Sequence, residues 1–143
     1  MLNNMEAFSF LEEYDIEDIE IAFLLEYTPA LKPGINLALM YREYRENEKT
    51  DREYFIIYRH FFGKIKKIYI SDSDGEIINK LLEHGKISII PPEKHGLDGY
   101  SYTLTFINNM NFAQYSWWGE PEEKWGVFGE LVKVIFKYID MGI

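Results

Sequence analysis

Between Tyr100 and Phe106 the chain alternates strictly. Tyr100, Tyr102, Leu104 and Phe106 fall on one side of an extended backbone, and Ser101, Thr103 and Thr105 on the other. A strand with one buried and one more polar face accounts for this pattern, because successive side chains of an extended chain point to opposite faces. Asn108-Asn109 follows, and Asn tolerates left-handed backbone angles, so a reversal belongs there. A second extended segment then ends in Trp117-Trp118. Beyond Gly119, the residues Trp125, Phe128, Leu131, Val132, Ile135 and Ile139 recur at helical spacing. The stretch from Leu97 to Ile139 therefore reads as strand, turn, strand and closing helix. The rest of the chain is expected to complete the sheet that this helix covers.

Upstream, Met5, Phe8 and Leu11 are spaced by three, which suits a short N-terminal helix or turn. Ile19, Ile21, Phe23 and Leu25 alternate and are expected to share one face of a strand. Pro29, Pro33 and Gly34 mark a loop. Segments 36–45 and 53–61 carry apolar residues on both faces, as central strands covered on both sides do. The polar run from Glu46 to Asp51 is the expected exposed hairpin loop between them. A further strand is expected over 64–70; Lys64, Lys66 and Lys67 suit an edge guarded against strand addition better than a phosphate site. Ser73 and Glu76 have capping-box spacing, with Ile77, Ile78, Leu81 and Leu82 as the stripe of the helix that follows. Gly85 sits where a left-handed residue would end that helix. Lys86 to Ile90 reads as a short strand stopped by Pro91-Pro92. Pro121 suits the first position of the closing helix. Together these elements specify one domain over residues 1–143. It is α+β, with a largely antiparallel sheet, a short helix near 73–84 and a C-terminal helix near 121–139 packed on it.

With 47% hydrophobic and 17% aromatic residues, the chain has the material for a real core and is not a disordered one. It has no cysteine, which removes disulfides and thiolate metal sites. The N-terminus has no basic region followed by an apolar run, so no signal peptide is expected, and apolar runs are too short for a membrane span. A cytoplasmic protein is the expectation. The net charge of −9 argues against binding nucleic acid or anionic lipid and fits a partner with a basic surface. It also fits the plainer role of keeping an aromatic-rich domain in solution.

The chemistry of a catalyst is hard to find. His60, His84 and His95 occupy no metal-ligand spacing, no nucleophile elbow is present, and there is no glycine-rich phosphate loop. The acidic run lacks the calcium-loop pattern. No cofactor, metal or catalytic residue is expected. Trp117 and Trp118 point to opposite sides of their strand, so one is expected under the closing helix, and burial is favoured for both. Glu12, Glu13, Asp15, Glu17, Asp18 and Glu20 form an acidic run. It is a solvated face first. If it binds, Asp15, Glu17, Asp18 and Glu20 are its contact residues, with Tyr14 or Tyr27 as aromatic anchors.

The pattern Leu97-Asp98-Gly99, Tyr102, Leu104, Tyr115-Ser116-Trp117-Trp118, Pro121 and Trp125, followed by an amphipathic helix, resembles small bacterial immunity proteins of polymorphic-toxin systems. The likeness covers the C-terminal third, where the segment's role in such proteins is structural. The resemblance implies a non-catalytic protein that binds and neutralises a cognate toxin. Two other readings stand beside it: a small enzyme or ligand-binding domain with an unrecognised pocket, and an acidic mimic of a nucleic-acid backbone.

Overall fold

Two long strands rich in Ile, Leu, Tyr and Phe form the centre of the molecule, because both of their faces are apolar. They are β2 (Ile35–Glu46) and β3 (Lys49–His60). Leu37 lies opposite Tyr58, Ala38 opposite Ile57, Leu39 opposite Ile56 and Met40 opposite Phe55, and all eight are buried. Around them are β1 (Glu20–Thr28), β4 (Lys66–Tyr69), β5 (Ser101–Asn108) and β6 (Asn111–Trp118). The six strands run in the order β4-β3-β2-β1-β5-β6, every neighbouring pair antiparallel. Helices α1 (Asp72–His84) and α2 (Gly126–Phe136) lie on one face. The fold is the expected α+β domain. The computed structural model describes residues 8–11, 19–46, 49–61, 63–93, 99–121 and 123–139. Among these, no helix is long and apolar enough to cross a membrane.

The sheet separates two apolar clusters. On the helix face, Phe23, Leu25, Leu37, Leu39, Ile56, Tyr102, Leu104 and Trp117 meet Ile78 of α1 and Phe128, Leu131, Val132 and Ile135 of α2. The expected helical stripe is thus the packed one. Its centre is aromatic: Trp117 is stacked between Tyr102 (ring centroids 5.1 Å apart) and Phe128 (5.5 Å), with Trp125 edge-on. On the opposite face, Phe8 and Phe10 of a 3-10 turn at 8–11 cover Leu24, Ala38, Met40, Phe55 and Ile57. The Arg59 guanidinium lies 4.9 Å from the Phe10 ring centroid, a cation–π contact that helps hold this turn.

Several local expectations give way to tertiary contacts. Ile19 and Ile21 do not share a face with Phe23 and Leu25. Pairing with β2 slips between Ile21 and Phe23, leaving Ala22 as an extra residue. This bulge sends Ile19 and Ile21 to the second cluster and Phe23 and Leu25 to the helix face. The 46–51 loop is shorter than expected, since Glu46 pairs with Lys49 and the strands run almost to the turn. Lys86 to Ile90 is not a strand. The segment is tied instead to residues 124 and 125, just before α2: Ser88 N–H donates to Lys124 O (3.1 Å) and Ser88 O accepts from Trp125 Nε1 (2.9 Å). Ser71, not Ser73, caps α1, its hydroxyl accepting from Asp74 N–H. Gly85 ends α1 in an extended conformation (φ −61°, ψ 142°), not a left-handed one. A side chain there would meet first the Leu81 carbonyl of α1 and then Val127 Cγ2 of α2 at 2.6 Å, so both contacts require glycine. The closing helix is narrower than 121–139. A 3-10 turn, Glu123–Trp125, precedes it, and Pro121 lies outside both, against Gly129.

Asn109 has φ 56°, the left-handed value expected of the turn between β5 and β6. Of the two tryptophans ending β6, Trp117 is buried under α2 and Trp118 is 44% exposed.

Candidate functional site

The β5–β6 hairpin extends past the end of α1, and this leaves a groove. Leu82 of α1, Phe106 of β5 and Ala113 of β6 form its floor. On one side the floor opens into a concavity of about 490 Å³ bounded by Glu20, Ile21, Tyr41, Asn108, Asn109 and Phe112. On the other it continues into about 270 Å³ beneath Val127 and Leu131 of α2, past Leu81 and Ile87. The floor is apolar because the alternation of β5 places Phe106 on the helix face while α1, only thirteen residues long, stops short of covering it. Phe112 (55% exposed) and Met110 (96%) stand at the hairpin end.

Charge enters this groove from β1. Glu20 opens that strand, is exposed, and belongs to the groove wall. Tyr41 next to it has its phenol raised above the ordinary range, mainly by burial; Arg52 opposes the shift, while Glu43 and Glu20 add to it. The Arg52 guanidinium lies 4.3 Å from the Tyr41 ring centroid, 3.2 Å from a Glu43 oxygen, and bonds the Tyr54 hydroxyl. This cation is therefore already engaged by the protein's own side chains. Further along the same ladder, Tyr44 donates to Glu53 (2.7 Å), a bond that pushes its phenol up to about 12.

Of the four residues proposed as contacts, Glu20 alone is described; Asp15, Glu17 and Asp18, with Tyr14, lie outside the described residues. Tyr27 is not an exposed anchor. It is half-buried in the core, packed against Tyr100, Tyr102 and Phe136. Burial and the neighbouring Tyr100 raise its phenol. Sequence reasoning missed Leu82, Phe106 and Ala113 as groove residues. The available signal was the alternation of β5 and β6, but the gap between α1 and the hairpin is non-local.

His60 ends β3 with its ring against Tyr58, His84 is in the exposed last turn of α1, and His95 is outside the described residues. Among the described residues, no three His, Asp or Glu side chains converge as a metal site would require. Asp74 is the one buried carboxylate among them. It accepts from Lys137 Nζ (2.8 Å) and from the Tyr138 hydroxyl, which hold its carboxyl below the ordinary range despite burial. Tyr138 also bonds Ser71, so these four residues clasp the start of α1 to the end of α2. A second concavity, about 430 Å³, lies beside α2 between Tyr102, Trp117 and Lys133. Among the described residues the buried Trp117 Nε1 has no hydrogen-bond partner, and the ring is packed against Tyr102, Phe128 and Trp125.

The protein is therefore a six-stranded antiparallel sheet carrying two helices on one face, with a groove of apolar floor and polar rim at the uncovered end of that face. Comparison with family models, curated proteins and solved structures finds no match.

Proposed function

We propose that this chain is a non-catalytic binding protein of the immunity type, which acts in the cytoplasm by docking a cognate toxin with a basic surface. The observation that carries this reading is Glu20 on the wall of a groove whose floor is Leu82, Phe106 and Ala113 and whose rim carries Asn108, Asn109 and Asn111. Protein interfaces combine a few buried aromatic or aliphatic anchors with a polar rim, and charge of one sign speeds encounter with a partner of the other. The groove supplies anchors, the acidic residues from Glu12 to Glu20 supply the charge, and the whole chain adds −9. An enzyme that acts on nucleic acid presents a basic cleft, which is the complementary surface.

The test begins with tagged protein expressed in its native host. Recovery of a basic enzyme in stoichiometric amount, inactive in the complex, is the expected result. Replacing Asp15, Glu17 and Glu20 together by Asn, Gln and Gln should leave folding intact, slow association and flatten its salt dependence. Leu82→Ala should speed dissociation by about tenfold or more if this side chain is an anchor. Association of the triple variant at the parental rate in low salt removes the acidic run from the interface. Turnover of a small substrate by the purified chain, abolished by side-chain changes in either concavity, replaces this reading with the enzyme one.

A further inference from the structure

The two edges of the sheet differ sharply. β4 is four residues long and carries Lys66 and Lys67, with the Lys67 ammonium 4.6 Å from the Phe55 ring centroid. Short, charged edge strands resist strand addition. β6 is eight residues long and contains no charge, proline or glycine. In a chain that is 27% charged, no Asp, Glu, Lys, Arg or His occurs from Gly99 to Gly119, the whole β5–β6 hairpin and its flanks.

The backbone direction of β6 follows from its register. Gly119 N–H donates to Tyr100 O, and residue numbers of opposed partners on β5 and β6 share a constant sum, so Asn111, Ala113, Tyr115 and Trp117 turn their peptide groups toward β5. Phe112, Gln114, Ser116 and Trp118 turn theirs away from the sheet. The side chains of these four lie on the face opposite the helices and are exposed. Gln114 and Ser116 are oriented there by bonds to Thr105 (3.0 Å) and Thr103 (2.9 Å).

We infer that β6 pairs with β6 of a second copy of this chain, antiparallel about a two-fold axis at Tyr115, to make one continuous sheet. The argument is the self-complementarity of the outward residues. Antiparallel pairing must oppose outward residues to outward residues. Centred on Tyr115, it opposes Phe112 to Trp118 and Gln114 to Ser116, and the axis repeats both pairs. Aromatic rings, 55% and 44% exposed in one copy, then cover each other, and amide meets hydroxyl. A shift in either direction loses this. Centring on Gln114 opposes Phe112 to Ser116, and centring on Ser116 brings Phe112 against Glu120. No charged pair is brought together in the inferred register, although the protein as a whole carries −9. The pairing stands whether or not the toxin-binding reading does.

The test is molecular mass in solution, by sedimentation or light scattering, from micromolar to submillimolar concentration. The parent should move from 17.0 kDa toward twice that mass. Gln114→Lys with Ser116→Lys opposes lysine to lysine in both central pairs and should remain monomeric at every concentration. Gln114→Glu with Ser116→Lys changes the same two exposed positions and opposes Glu to Lys, so it should recover the dimer. Circular dichroism should show all three folded. A parent that stays monomeric overturns the inference. So does a dimer that survives the double lysine change, which would place the interface elsewhere. Failure of the Glu/Lys variant to dimerise overturns the register.

Discussion

Removing the Phe128 ring is the most direct test of how the sheet and the closing helix are joined. Phe128 is 4% exposed, and its ring touches Phe106, Tyr115, Trp117 and Trp125, at centroid distances of 6.2, 4.8, 5.5 and 5.5 Å. A phenylalanine buries at least about 150 Å² of apolar surface, worth about 4 kcal/mol at the usual coefficient. Large-to-small changes of this kind cost about 3–5 kcal/mol, the cavity included. Phe128→Ala should therefore remove about 3–5 kcal/mol from a total stability of about 5–15 kcal/mol. With a urea slope of about 1–3 kcal/mol per molar, the midpoint should fall by about 1 M or more. The assay is a urea titration followed by far-UV circular dichroism, which is insensitive to the lost ring contact with the tryptophans. Phe128→Leu, which keeps most of the volume, should cost less than about 1.5 kcal/mol. A loss within about 0.5 kcal/mol for the alanine variant would refute the packing of α2 on β5 and β6.

Trp117→Ala should cost about 3–5 kcal/mol, because its ring is stacked on both faces, while exposed Trp118→Ala should stay within about 1 kcal/mol by the same titration. Gly85→Ala should destabilise by about 1–3 kcal/mol, since the new methyl meets Leu81 O and Val127; a neutral result would show that both lie further from Gly85. Asp74 is held below the ordinary carboxylate value of 3.8, first by Lys137 and then by Tyr138. A carboxyl lowered on folding contributes stability above its unfolded value and loses that contribution as pH falls through its folded value. Urea midpoints of the parent should thus fall more steeply below about pH 4 than those of Asp74→Asn, and parallel curves would sink the clasp.

Most of the architecture was legible in the sequence because its causes are local. The alternation from Tyr100 to Phe106 demands a half-buried strand, Asn109 accepts the left-handed angle of the turn, and the spacing from Trp125 to Ile139 leaves one face of the closing segment to bury. Apolar residues on both faces of β2 and β3 identify the central strands without reference to any partner. What tertiary structure decided lies where local rules permit two answers. Ser71 and Ser73 are equally good caps in isolation; Ser71 is the cap in a fold where Tyr138 bonds it and, with Lys137, holds Asp74. Lys86 to Ile90 has the composition of a strand, but both hydrogen bonds of Ser88 go to the turn before α2. The bulge at Ala22 satisfies two clusters on opposite faces at once, which no single alternation expresses. The groove is the same kind of result. Glu20 is visible in the sequence as one acid among six, yet its place beside Leu82 and Phe106 depends on where α1 ends over a hairpin distant from it in sequence.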